Sequence, residues 1–126
     1  MVGLVIVSHS ENLAKSVVDL AKMTAPDARI AAAGGLEDGR FGTSFARIQE
    51  AIEEVYSDDG VIVLMDLGSA VMTTEMVIEV MDGKKIAMAD CPLVEGAVSA
   101  SINAAGGMEF EQLLQELNKV WQMRKL

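Results

Sequence analysis

The sequence predicts an α/β domain: an open, doubly wound and mainly parallel sheet of order 2-1-3-4, with helices on both faces and room for an additional edge strand. Two observations predict it. Short runs of continuous rather than alternating apolar residues recur along the chain, and a continuous run means that both faces of a strand are covered. Between these runs lie longer segments with apolar residues at helical spacing, and strands that alternate with helices build parallel sheets through right-handed crossovers.

The strand candidates are Leu4–Val7, Ala28–Ala33, Val61–Met65 and Lys85–Ala89, the second and fourth being alanine-rich. After Ser10, a candidate N-cap, Leu13, Ala14, Val17, Val18 and Ala21 recur at helix spacing up to Pro26. Phe45, Ile48, Ile52 and Val55 repeat the pattern after Thr43 or Ser44. Val71, Met76, Val77, Val80 and Met81 form a third stripe that stops at Asp82-Gly83, where glycine can close the helix. A small-residue helix is expected over Glu95–Ala105, broken by Gly106-Gly107. The last stripe is Phe110, Leu113, Leu114, Leu117, Val120 and Trp121. Acids at its start and Arg124 and Lys125 at its end suit the helix dipole.

With 126 residues, 51% of them hydrophobic, the chain is read as one domain spanning residues 1–126. Nineteen acidic against ten basic side chains give a net charge of −9. That balance argues against nucleic acid or an anionic membrane surface as a partner and leaves basic proteins open. A single cysteine, Cys91, rules out an intrachain disulfide. No apolar run approaches the ~20 residues of a membrane helix, and the N-terminus lacks the basic flank of a signal peptide. The expected location is cytoplasmic.

In doubly wound sheets, functional loops gather at the carboxyl ends of the strands, around the point where strand order reverses. Under the order 2-1-3-4, this places His9, after the first strand, in one crevice with Asp66, after the third. His9 is the only histidine. A solitary histidine is ordinarily a surface or capping residue, but a carboxylate at the adjacent strand end would accept its Nδ1 proton. That would fix the tautomer and leave Nε2 as nucleophile or base. The plain alternative for Asp66 is to cap the third helix, a role for which Ser69 competes. Ser8, Ser10, Thr43, Ser44, Gly68 and Ser69 lie at or beside helix N-termini, where free N–H groups favour an anion, so they form a candidate phosphate cradle.

Other chemistries fail on residue count. One histidine and one cysteine cannot make the usual zinc cluster. There is no G-x-x-x-x-G-K-[ST] loop, no G-x-S-x-G elbow, and no G-x-G-x-x-G after the first strand. A phospho-aspartate receiver would need an acidic pair where this chain has Ser8-His9-Ser10. The methionines are read as core or dimer packing, Cys91 as structural, and the run Glu50, Glu53, Glu54, Asp58, Asp59 as a solvated face.

Five elements in this order carry a resemblance: Gly3-Leu4-Val5-Ile6-Val7-Ser8-His9-Ser10, Gly34-Gly35-Leu36, Gly42-Thr43-Ser44, Asp66-Leu67-Gly68-Ser69-Ala70 and Pro92-Leu93-Val94-Glu95-Gly96-Ala97. Together they resemble the phosphotransferase subunits of PTS-dependent dihydroxyacetone kinases, which have the mannose-type enzyme IIA fold. The resemblance implies a phosphoryl carrier. His9 would take phosphate from the phosphocarrier protein HPr and pass it to ADP on the nucleotide-binding subunit of the kinase, whose partner subunit binds dihydroxyacetone. Asp66 matches the aspartate that orients the histidine, and Thr43, Ser44, Gly68 and Ser69 match the loops beside it. The resemblance further implies a homodimer, no cofactor or metal, and a single-domain form that draws on a separate HPr. Two other functions compete: the enzyme IIA of a mannose-type sugar transporter, and a non-catalytic module that senses a small anion.

Overall fold

The computed structural model describes all 126 residues. In chain order the elements are β1 (Gly3–Ser8), α1 (Glu11–Thr24), β2 (Ile30–Gly34), α2 (Phe45–Val55), β3 (Val61–Met65), α3 (Ala70–Val80), β4 (Ile86–Met88), α4 (Leu93–Ala105), α5 (Phe110–Asn118) and a 3₁₀ turn at Val120–Gln122. The four strands form one sheet of order β2-β1-β3-β4, and every pairing is parallel. The expected fold class and strand order are therefore those observed. No additional edge strand forms, so β4 ends the sheet.

Each central strand divides its side chains between two cores. Leu4, Ile6, Ile62 and Leu64 pack with α1, α4 and α5, while Val5, Val7, Val61 and Val63 pack with α2 and α3. This is why β1 and β3 are continuous apolar runs: the pleat alternates faces, and both faces are dry. Neither cluster includes a charged residue. The acidic run Glu50, Glu53, Glu54, Asp58 and Asp59 is exposed, as its composition requires.

Helix starts follow their caps. The Ser10 hydroxyl accepts from the Leu13 N–H, and the Ser44 hydroxyl from that of Arg47, so Ser44 rather than Thr43 begins α2. α4 begins at Leu93, two residues earlier than the sequence suggests, because Pro92 occupies the cap position and its carbonyl accepts from the Gly96 N–H.

The largest departure is at the end of the chain. A single amphipathic face through Trp121 is expected, but α5 stops at Asn118. The Lys119 N–H bonds to the Glu116 carbonyl, one residue short of α spacing, and the chain tightens into the 3₁₀ turn. Val120 stays buried, whereas Trp121 turns outward and is 61% exposed. Its indole N–H donates to the Asp90 carbonyl at 3.0 Å. Arg124 and Lys125 lie beyond the helix, and Lys125 pairs with Glu95 at 2.9 Å instead of serving a helix end.

β2 runs close under the start of α1, and Gly34 permits the approach. A Cβ there would lie 2.5 Å from the Ser10 carbonyl oxygen and 2.8 Å from the Ala14 Cβ. A Gly34→Ala chain should unfold at lower urea, with a loss of about 1–3 kcal/mol as the helix is forced off the sheet; an unchanged midpoint in equilibrium denaturation would contradict that packing.

Candidate active site

Parallel pairing of β1 with β3 puts Val7 opposite Met65, so the residues that follow, Ser8, His9 and Asp66, meet at one end of the sheet. The Asp66 N–H extends the ladder to the Val7 carbonyl at 3.1 Å. Its carboxylate then collects four hydrogen bonds. Oδ2 accepts from the Ser8 hydroxyl at 2.9 Å and the His9 backbone N–H at 3.0 Å. Oδ1 lies 3.0 Å from His9 Nδ1 and accepts from the Leu67 N–H at 2.7 Å.

These contacts fix the charge of the acid. Burial alone raises the Asp66 pKa, but the backbone N–H and ring of His9 and the Ser8 hydroxyl outweigh it, and the net shift is below the ordinary aspartate value. An ionised carboxylate can only accept, so Nδ1 of a neutral imidazole must carry the proton, and Nε2 holds the lone pair. The Ser69 hydroxyl, 2.9 Å from Nε2, is then the donor of that contact. The histidine side chain is 27% exposed and the aspartate side chain 12%, so the ring reaches solvent while its anchor is shielded.

Of the residues expected around the imidazole, Asp66 and Ser69 touch it. Neither caps α3: the Ser69 side chain makes no cap bond, and Asp66 turns back toward β1. Ser8 is fully buried, and its hydroxyl donates to Asp66 while accepting from the Ser10 N–H, so it braces the acid rather than facing the crevice. Ser10 and Ser44 are committed to their helices, Ser44 also donating to Glu37. Thr43 bonds to Thr73 Oγ1 at 3.0 Å. Gly68 lies exposed in the turn between Asp66 and Ser69, and the backbone N–H groups of both Gly68 and Ser69 are free of protein acceptors.

The β2–α2 loop is pinned beside the site. The Gly42 N–H donates to the His9 carbonyl at 2.9 Å, with Gly42 at φ 149°, a backbone angle that side chains disfavour. Thr73 on α3 ties the same loop from the other side. Sequence reasoning overlooks Thr73, because a threonine one turn into a helix carries no signal of its distant partner. Cys91, beneath α4, has its thiol pushed up to about 11 by burial and then by the Asp90 charge, which keeps it protonated and inert at neutral pH.

A β-strand-end imidazole gripped by an acid, on an all-parallel sheet of order 2-1-3-4, defines the class. Residues 3–114 match the family described as the PTS system fructose IIA component, the mannose-type enzyme IIA, and the chain belongs to that family. Within it, the chain is similar to the phosphotransferase subunit DhaM of a PTS-dependent dihydroxyacetone kinase from Lactococcus lactis. The two are 41% identical over 94% of each chain. It is 48% identical to the phosphoryl donor subunit DhaM of dihydroxyacetone kinase 1 from Listeria innocua, over 79% of this chain and 78% of that one. The Escherichia coli phosphoryl donor subunit DhaM is 37% identical over 90% of this chain, which spans only 26% of that longer protein. Among solved structures, a protein of unknown function superposes with a TM-score of 0.83 at 28% identity, covering 94% of this chain and 93% of the other.

The bonds to Asp66 exist only while it is ionised, so its depressed pKa stabilises the fold at pH values above the ordinary aspartate pKa of 3.8. That contribution disappears as pH falls through the lower, folded-state pKa. Asp66→Asn should therefore cost about 1–3 kcal/mol at neutral pH, with the gap from the parent closing in acid denaturation below the aspartate range; a pH-independent gap would contradict the ionic account.

Proposed function

We propose that the protein carries a phosphoryl group on His9 Nε2, taking it from phospho-HPr and delivering it to ADP held by the nucleotide-binding subunit of a dihydroxyacetone kinase. The observation that carries this reading is the asymmetric imidazole. One nitrogen is bound to a shielded carboxylate, and the other presents its lone pair to an open face under a single hydroxyl.

In the first half-reaction the Nε2 lone pair attacks phosphorus on the donor's phosphohistidine. The N–P bond to the donor breaks, its electron pair returns to the donor's ring, and a new N–P bond forms to His9. The Nδ1 proton stays between His9 and Asp66, which offsets the positive charge that the ring gains during transfer. The Ser69 hydroxyl turns from Nε2 to a phosphoryl oxygen, joined by the free N–H groups of Gly68 and Ser69. In the second half-reaction a β-phosphate oxygen of ADP attacks the phosphorus, and the electron pair of the breaking N–P bond returns to Nε2. The chain supplies alignment and fixed dipoles.

Similarity to DhaM subunits favours a kinase over a sugar transporter as the destination. The net charge of −9 suits a basic donor surface, and the lone cysteine suits a reducing cytoplasm. A homodimer belongs to this reading. β4 leaves one edge of the sheet unpaired, and on neighbouring α3 the side chains of Met72, Met76 and Val80 are exposed at helix spacing.

Incubation with phosphoenolpyruvate, enzyme I and HPr should add one acid-labile phosphate to the parent chain by intact mass and none to His9→Gln; an unmodified parent would refute the carrier role. Asp66→Ala should slow transfer by something like 10²–10⁴-fold. Pull-down with the kinase subunits against a sugar-specific IIB domain tests the destination, the kinase being expected. Capture by the IIB domain alone would reassign the chain to a transporter.

A further inference from the structure

A cleft of about 430 Å³ opens beside the imidazole, between the β3–α3 turn and the segment that follows β4. It shares Asp66 with the site, and its walls include Leu67, Val71, Met88 and Trp121. Leu67 is 59% exposed and Trp121 61%, so two large apolar side chains stand open at the mouth of a concave surface adjoining the reactive nitrogen. The hydrogen bond from the Trp121 indole to the Asp90 carbonyl holds the ring as a fixed wall.

We propose that this cleft receives an apolar side chain of the protein that exchanges a phosphoryl group with His9, and that seating this side chain aligns the two proteins for transfer. The inference rests on the carrier reading above. The lining decides the occupant. The charged groups in the cleft are the acids Asp66 and Asp90, and no lysine or arginine lines it, so a nucleotide or other phosphorylated small molecule would be repelled. A polyhydroxylated sugar would leave its hydroxyls unpaired against the apolar walls. An apolar side chain has neither penalty, and buried tryptophan contacts are typical anchors of protein interfaces. Acids at the edge of the cleft and a net charge of −9 fit a partner whose anchor is ringed by basic residues.

Trp121 is the only tryptophan, so chain labelled with fluorotryptophan gives a single fluorine NMR line that reports the cleft directly. Unlabelled HPr and unlabelled nucleotide-binding kinase subunit are titrated separately. At least one should shift the line. For that partner, Leu67→Ser and Trp121→Ala should each raise the KM about tenfold or more, with kcat at saturation retained. Phosphorylation of His9 by the small donor phosphoramidate should be equal in parent and Leu67→Ser. A line unmoved by both partners, or an unchanged KM in Leu67→Ser, would overturn the proposal. So would dissociation of a parent dimer by Leu67→Ser in sedimentation, which would give the cleft to a second copy of the chain. Failure of the parent to take phosphate even from phosphoramidate would instead refute the carrier reading, while the fluorine line would still report whether the cleft docks a protein.

Discussion

The carboxylate of Asp66 is the point on which the site depends. It bonds to the ring, the backbone N–H and, through Ser8, the preceding residue of the same turn. The acid therefore sets not only the tautomer of His9 but the path of the chain that presents it. The fold makes this possible by a topological accident of doubly wound sheets. β1 and β3 are neighbours although 52 residues separate Gly3 from the end of that pairing's first partner in sequence order only as the register dictates, and both deliver their loops to the same end.

Much of this was legible in the sequence, for physical reasons that differ from element to element. Val61–Met65 reads as a strand with its observed limits because a five-residue apolar run flanked by Gly60 and Asp66 has few alternatives. The pairing of His9 with Asp66 follows from strand order alone, since each residue immediately succeeds a central strand. α1 and α2 are readable from a serine that caps and a stripe that faces the sheet.

What escaped notice depended on long-range or fine geometry. Ser8 looks like a phosphate ligand by position, yet strand alternation turns its side chain inward, where it supports the acid. Ser69 looks like a cap, and only three-dimensional structure places its hydroxyl on Nε2. Trp121 continues the α5 stripe on paper, and one i→i+3 bond is enough to rotate it into solvent. No local pattern encodes that last change, because the energy difference between α and 3₁₀ spacing at a helix end is small.

The loop that carries Gly42 and Thr43 is fastened to β1 on one side and to α3 on the other. A segment held at both flanks has little freedom left to lose when another molecule settles over it. Nothing in the surroundings of the imidazole therefore has to be assembled on contact, and the pace of turnover falls to how often visitors arrive and how soon they depart.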